Sequence, residues 1–158
     1  MKKFLFIIFC LTLSLNSFAQ DLLKERIRKL TDKKTSIFIE SGIFHNGGVK
    51  TEGLVKGIRQ FFTPKQGFER IVIDFGASEI PKVYGNINSA ERKLYIDFFD
   101  TKLDKELKTV AETKYVEKVN FYPIDQGQLS MEIKFKTKVS ADIFFLENPG
   151  RLVIDLKN

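Results

Sequence analysis

Three segments of the chain place a basic residue and an aspartate four positions apart around alternating apolar residues: Arg70-Ile71-Val72-Ile73-Asp74, Lys93-Leu94-Tyr95-Ile96-Asp97 and Arg151-Leu152-Val153-Ile154-Asp155. Their apolar residues are largely β-branched, which favours a strand, and alternate side chains of a strand share a face. Ile71, Ile73, Leu94, Ile96, Leu152 and Ile154 then point inward, while the basic residue, the central residue and the aspartate point outward. Repeated across a sheet, the outward set lines up cations and carboxylates. An arginine grips a carboxylate bidentately, an aspartate accepts from hydroxyls and amides, and Tyr95 offers an aromatic face on which a sugar can stack. The same residues can serve only as cross-strand ion pairs that fix register and contribute about 0.2–1 kcal/mol each. The pattern fits both readings.

Other chemistry has little to work with. His45 is the single histidine and stands beside Asn46-Gly47, where an exposed turn residue is expected rather than a base or a metal ligand. The single cysteine, Cys10, lies inside an N-terminal apolar run. A zinc site needs three or four suitable ligands, and a Ser-His-Asp arrangement would have to recruit the turn histidine. Asp74, Asp97 and Asp155 each follow a basic residue by four positions, a strand-end pattern unlike an acid/base carboxylate pair. The glycines from Gly42 to Gly53 are not followed by the Gly-Lys-Ser/Thr of a phosphate loop. The expectation is a protein that is not an enzyme and holds no metal or cofactor.

The elements that position the outward residues follow from periodicity. Strands are predicted over Gly57–Phe62, Arg70–Phe75, Lys82–Ile87, Lys93–Phe98, Val116–Tyr122, Leu129–Phe135, Ala141–Leu146 and Leu152–Leu156. An earlier strand around Ile37, Ile39 and Ile43 should run into a tight hairpin at His45-Asn46-Gly47-Gly48, since Asn-Gly supplies the positive φ such a turn needs. One connecting helix is predicted from Thr101, capped by Thr101 and Asp104 and burying Leu103, Leu107 and Val110. A short amphipathic helix is predicted within the charged segment 20–34, with Leu23, Ile27 and Leu30 at helical spacing.

Two sets of four strands resemble each other across the connecting helix. Phe61-Phe62, Pro64 and Gly67 before a strand ending at Phe75 are answered by Phe121-Tyr122-Pro123 and Gly127 before a strand ending at Phe135. Leu94-Tyr95-Ile96-Asp97 is likewise answered by Leu152-Val153-Ile154-Asp155. A mainly all-β fold follows: a two-sheet β-sandwich with an internal pseudo-twofold repeat, each sheet burying one apolar face against the other.

The N-terminus has the form of a secretory signal peptide. Lys2 and Lys3 precede an apolar run from Phe4 to Leu15, too short to span a bilayer, and Ser17 and Ala19 supply the small residues of a cleavage site after Ala19. The domain plan is therefore a signal peptide over 1–19, a charged helix or tether over 20–34 and one β-sandwich domain over 35–158. Of 26 basic residues, loss of Lys2 and Lys3 leaves 24 against 20 acidic ones, a net charge of +4. That balance suits loose attraction to anionic polymers or headgroups, and it lacks the dense basic stripe of a nucleic-acid binder. Membrane contact, if any, would fall to the basic segment 21–34.

The stretch Ile143-Phe144-Phe145-Leu146-Glu147-Asn148-Pro149-Gly150-Arg151-Leu152-Val153-Ile154-Asp155-Leu156 resembles the hallmark of the AMIN domain, an envelope module found beside cell-wall amidases and in pilus secretins. Glu69-Arg70-Ile71-Val72-Ile73-Asp74-Phe75 resembles its other recurring strand, and the likeness runs over 57–158. The resemblance implies a symmetric two-sheet sandwich in the periplasm that binds peptidoglycan or localises to the cell wall through its outer sheet faces, without catalysis. Carried over by position, it points to Arg70 and Asp74 on one strand and Arg151 and Asp155 on the other, with Tyr95 on a third. The segment Asn88-Ser89-Ala90-Glu91-Arg92-Lys93-Leu94 lacks the Asn-Pro pair, and the expectation is of a module that stands without the usual amidase or secretin domain. The alternative is a protein-interaction module of an envelope complex such as a pilus, division or secretion assembly.

Overall fold

The computed structural model describes residues 27–34, 36–48, 52–107, 111–124 and 127–158. The signal peptide expected over 1–19 and the first part of the charged segment lie outside the described residues. Among those described the chain is all-β, with no helix. The strands are β1 (Ile27–Lys29), β2 (Ser41–His45), β3 (Gly53–Thr63), β4 (Phe68–Phe75), β5 (Val83–Asn88), β6 (Lys93–Phe98), β7 (Thr101–Leu103), β8 (Val116–Ile124), β9 (Gln128–Phe135), β10 (Ser140–Leu146) and β11 (Arg151–Lys157). They form two sheets, one of six strands in the order β1-β2-β5-β6-β9-β8 and one of five in the order β10-β11-β4-β3-β7.

The eight strands predicted from alternation all form, because period-two patterning can bury one face only in extended backbone. Ile71, Ile73, Leu94, Ile96, Met131, Ile133, Leu152 and Ile154 are all fully buried. They belong to a single apolar cluster to which both sheets contribute, Phe44 and Phe135 from one and Phe75 and Leu156 from the other among them. Gly85 is required by this packing: a Cβ there would lie 2.2 Å from Cζ of the buried Phe44 ring.

Three expectations are corrected. The predicted connecting helix is not formed over the described residues: Thr101–Leu103 is β7, which runs parallel to β3 with Gly53 opposite Thr101. The Thr101 hydroxyl donates to the Phe99 carbonyl at 2.8 Å, so it caps nothing. Asp104 instead closes a local turn, its Oδ1 accepting from the Glu106 amide at 3.0 Å. Residues 108–110, including Val110, lie outside the described residues.

The predicted N-terminal helix also gives way, over its described part, to a strand. Ile27–Lys29 pairs in parallel with Ile43–His45, and the Leu30 amide donates to the His45 carbonyl at 2.7 Å. Leu30 is buried in the main cluster, so tertiary burial of one leucine overrides the helical spacing. Asn46-Gly47, finally, does not close a hairpin. β2 pairs with β1 and β5, while the next strand, β3, lies in the other sheet. The buried Asn46 side chain instead accepts from the Val83 amide at 3.0 Å and donates to the Pro81 carbonyl at 2.7 Å, pinning the point where the chain leaves one sheet for the other.

Candidate functional site

The antiparallel register of β4 and β11 sets Arg70 opposite Asp155 and Asp74 opposite Arg151, with Val72 and Val153 between them. Two copies of a basic-x-x-x-Asp strand, run antiparallel about their central valines, must meet in this reciprocal way. All four charged residues stand on the outer face of the five-stranded sheet, as alternation predicts.

They are nevertheless not equally available. The Asp155 side chain is 0% exposed, and so is that of Asp142, which stands opposite it on β10. Asp155 takes a bidentate grip from Arg70, Nε to Oδ1 at 2.6 Å and Nη2 to Oδ2 at 2.7 Å. Lys34 Nζ adds a third contact to Oδ2 at 2.6 Å. Asp142 accepts from the Ser36 amide at 2.8 Å and faces Arg28 at 3.4 Å. Residues 28–34 and 36–39 thus lie along β10, tied also by Phe145 N to the Thr31 carbonyl at 3.0 Å and by an antiparallel bridge between Ile39 and Ala141. Hydrogen bonding to Asp155 raises the Arg70 guanidinium above its ordinary pKa, with burial opposing it. Arg70 also lies over the rings of Phe68 and Phe144, at 5.1 and 5.8 Å from their centroids. Below this charged row, Val72, Phe144 and Val153 form a second buried apolar cluster on the same outer face.

Asp74 and Arg151 do not pair with each other. Asp74 is held bidentately by Arg59 of β3, at 2.7 Å from Nε and 2.6 Å from Nη2, which raises the arginine's pKa. Arg151 keeps only a 3.3 Å hydrogen bond from Nε to the Pro149 carbonyl among the described residues. It follows the Asn148-Pro149-Gly150 turn, which contains a cis Asn148-Pro149 bond. That turn docks on the loop after β4, where the amides of Asn148 and Gly150 donate to the carbonyls of Ser78 and Ala77 at 2.8 and 2.9 Å. A Cβ at Gly150 would sit 2.4 Å from the Glu79 carbonyl oxygen, so the close backbone approach demands glycine.

Tyr95 is the remaining predicted site residue, and the structure places it on the outer face of the six-stranded sheet, apart from the other four. Register across four strands arranges that face in rows. One row reads Tyr84, Asp97, Ser130 and Tyr122; the next reads Asn86, Tyr95, Glu132 and Asn120; the third reads Asn88, Lys93, Lys134 and Lys118. Tyr84 and Tyr95 are 41% exposed and Tyr122 48%. Lys93 donates to the Tyr95 hydroxyl at 2.9 Å and reaches Glu132 at 3.4 Å, contacts that raise its pKa. Asn120 donates to Glu132 at 3.3 Å, and Ser130 donates to Asp97 through a short contact. Tyr84 and Tyr122 were not singled out from the sequence; applying the same alternation to Val83–Asn88 and Val116–Ile124 would have set them beside Tyr95.

Comparison of the chain with protein-family models, with curated proteins and with solved structures returns no match.

Proposed function

We propose that the chain is an exported, non-catalytic envelope module: an AMIN-like β-sandwich that binds peptidoglycan in the periplasm through its outer sheet faces. One observation carries this reading. If β3–β6 are exchanged for β8–β11, the order β5-β6-β9-β8 at the core of one sheet becomes β10-β11-β4-β3, which is the core of the other. That exchange supports a pseudo-twofold repeat of the kind the hallmark strands imply for a symmetric sandwich, and the shared apolar cluster suits two inner faces packed together. The signal-like N-terminus and the mildly basic charge suit a wall polymer bearing carboxylates. The test is co-sedimentation of the chain from Gln20 onward with protein-free sacculi. It should pellet with them, and a protein that stays wholly in the supernatant overturns the reading.

A protein-interaction module remains the second reading, favoured by β8. This nine-residue strand is an edge of its sheet and exposes Tyr122 and Ile124 at 48 and 49%. An open edge of that length can accept a partner's strand. Crosslinking from Lys118 or Glu117 to an envelope protein in cells, with no sacculus binding in vitro, would decide for it.

A further inference from the structure

Within that wall-binding reading, we propose that the outer face of the six-stranded sheet is the binding surface for the glycan strand. Its sugar rings lie over Tyr84, Tyr95 and Tyr122, and its acidic substituents face a row of lysines. The occupant is a β-1,4-linked N-acetylhexosamine chain carrying carboxylates.

The row geometry supplies the first argument. Tyr84 and Tyr122 share one row, three strand steps apart, and Tyr95 lies one row over on the strand next to Tyr84. Strands in a sheet are spaced about 4.8 Å apart, so the outer tyrosines are separated by about 14 Å, the reach of a short run of sugars laid across the strands. A phenol ring presents an apolar face to the axial C–H groups of a sugar while its hydroxyl stays wet. Asn86 and Asn120 stand at the two ends of the Tyr95 row and carry amides that can both donate and accept, as sugar hydroxyls and N-acetyl groups require.

The second argument is charge. Lys93, Lys134 and Lys118 stand directly opposite one another on β6, β9 and β8. Like charges in cross-strand register destabilise a sheet unless carboxylates offset them, and here the offset is partial. Lys93 reaches Glu132 at 3.4 Å and Lys134 reaches Glu117 at 2.7 Å, whereas Lys118 has no ionic partner among the described residues. A polymer with carboxylates on one side of its sugar chain matches a face with tyrosines in two rows and lysines in the third. A neutral glycan leaves the lysines unused, and an acidic protein leaves the spaced phenols unexplained.

The test uses the mature chain with three probes: intact sacculi, soluble disaccharide-peptide fragments released from them, and chitotetraose, which has the same linkage without carboxylates. Tyr84→Ala/Tyr95→Ala should keep the wild-type melting temperature and lose at least tenfold in affinity for all three. Lys118→Glu/Lys134→Glu should lose affinity for sacculi and fragments while sparing chitotetraose. If wild type pellets with sacculi and the folded tyrosine variant does so equally well, the face assignment is overturned and the wall reading stands. If wild type ignores sacculi and fragments, the wall reading fails, and chitotetraose then decides the sugar face: binding that the tyrosine variant loses keeps it, and no binding overturns it.

Discussion

The two outer faces of the molecule are built from the same kind of strand and end in opposite states. On the five-stranded sheet, the Arg70–Asp155 row is closed: Lys34 and Arg70 saturate Asp155, and residues 28–34 and 36–39 lie beside it. On the six-stranded sheet, the equivalent strand Lys93–Asp97 lies open, with Tyr95 and its two neighbouring tyrosines turned to solvent. An Arg-x-x-x-Asp strand facing a second copy satisfies itself, as β4 and β11 do. A Lys-x-Tyr-x-Asp strand facing Ser130, Glu132 and Lys134 of β9 finds partners too, Asp97 in Ser130 and Lys93 in Glu132 and Tyr95, yet leaves Tyr95 41% exposed with Lys93 over its ring at 5.5 Å.

Breaking the closed face should cost far more than breaking the open one. Asp155→Ala strands Arg70 and Lys34 against a buried position, a defect that costs about 3–5 kcal/mol in a dry site. Because Arg70 and Lys34 are 27% and 33% exposed, we expect a value near the lower end, about 3 kcal/mol, by chemical denaturation. A loss under about 0.5 kcal/mol would mean the row is as exposed as an ordinary surface. Ile73→Ala and Ile154→Ala, inside the shared cluster, calibrate this at about 2–5 kcal/mol each. Asp74→Asn breaks an exposed bidentate pair with Arg59 and should cost no more than about 1 kcal/mol.

On the open face, Tyr95→Ala or Lys118→Glu should leave stability within about 0.5 kcal/mol, so that any loss of binding is separable from loss of fold. Glu132 gives that face a small pH dependence. Burial pushes its carboxyl up, but the Tyr95 hydroxyl, the Lys93 charge and the Asn120 amide outweigh it and hold the pKa below the ordinary 4.5. A depressed folded-state pKa stabilises the fold above 4.5, and the contribution is lost as pH falls through the lower value. Thermal scans from pH 6 down to about 3 should show this acid-side loss, and Glu132→Gln should flatten that part of the profile.

What was legible in the sequence was local. Lys93–Phe98 is found at its predicted ends because alternation is strict there and turn residues bound it on both sides. The faces of Arg70, Asp74, Arg151 and Asp155 follow from the same period. The closure of Asp155 was hidden because its second partner, Lys34, lies 121 residues away in a segment whose spacing reads as a helix. Thr101 to Asp104 misled for a related reason: Thr-x-x-Asp satisfies a helix cap and a turn at a strand end alike, and only pairing with Gly53–Val55 decides between them. Asn46-Gly47 has the residues of a hairpin turn, but the Asn46 amide finds Pro81 and Val83, contacts no local rule foresees. Tyr84 and Tyr122 were visible in principle; what was missing was the register that unites them with Tyr95.

The asymmetry of the two faces is tested most directly by mapping backbone and side-chain NMR shifts of the mature chain on titration with soluble disaccharide-peptide fragments of the wall. The account predicts perturbations that cluster on Tyr84, Tyr95, Tyr122 and Lys118, with Arg70 and Asp155 unmoved. Perturbations centred on Arg151, Asp74 and Arg70 instead would contradict it.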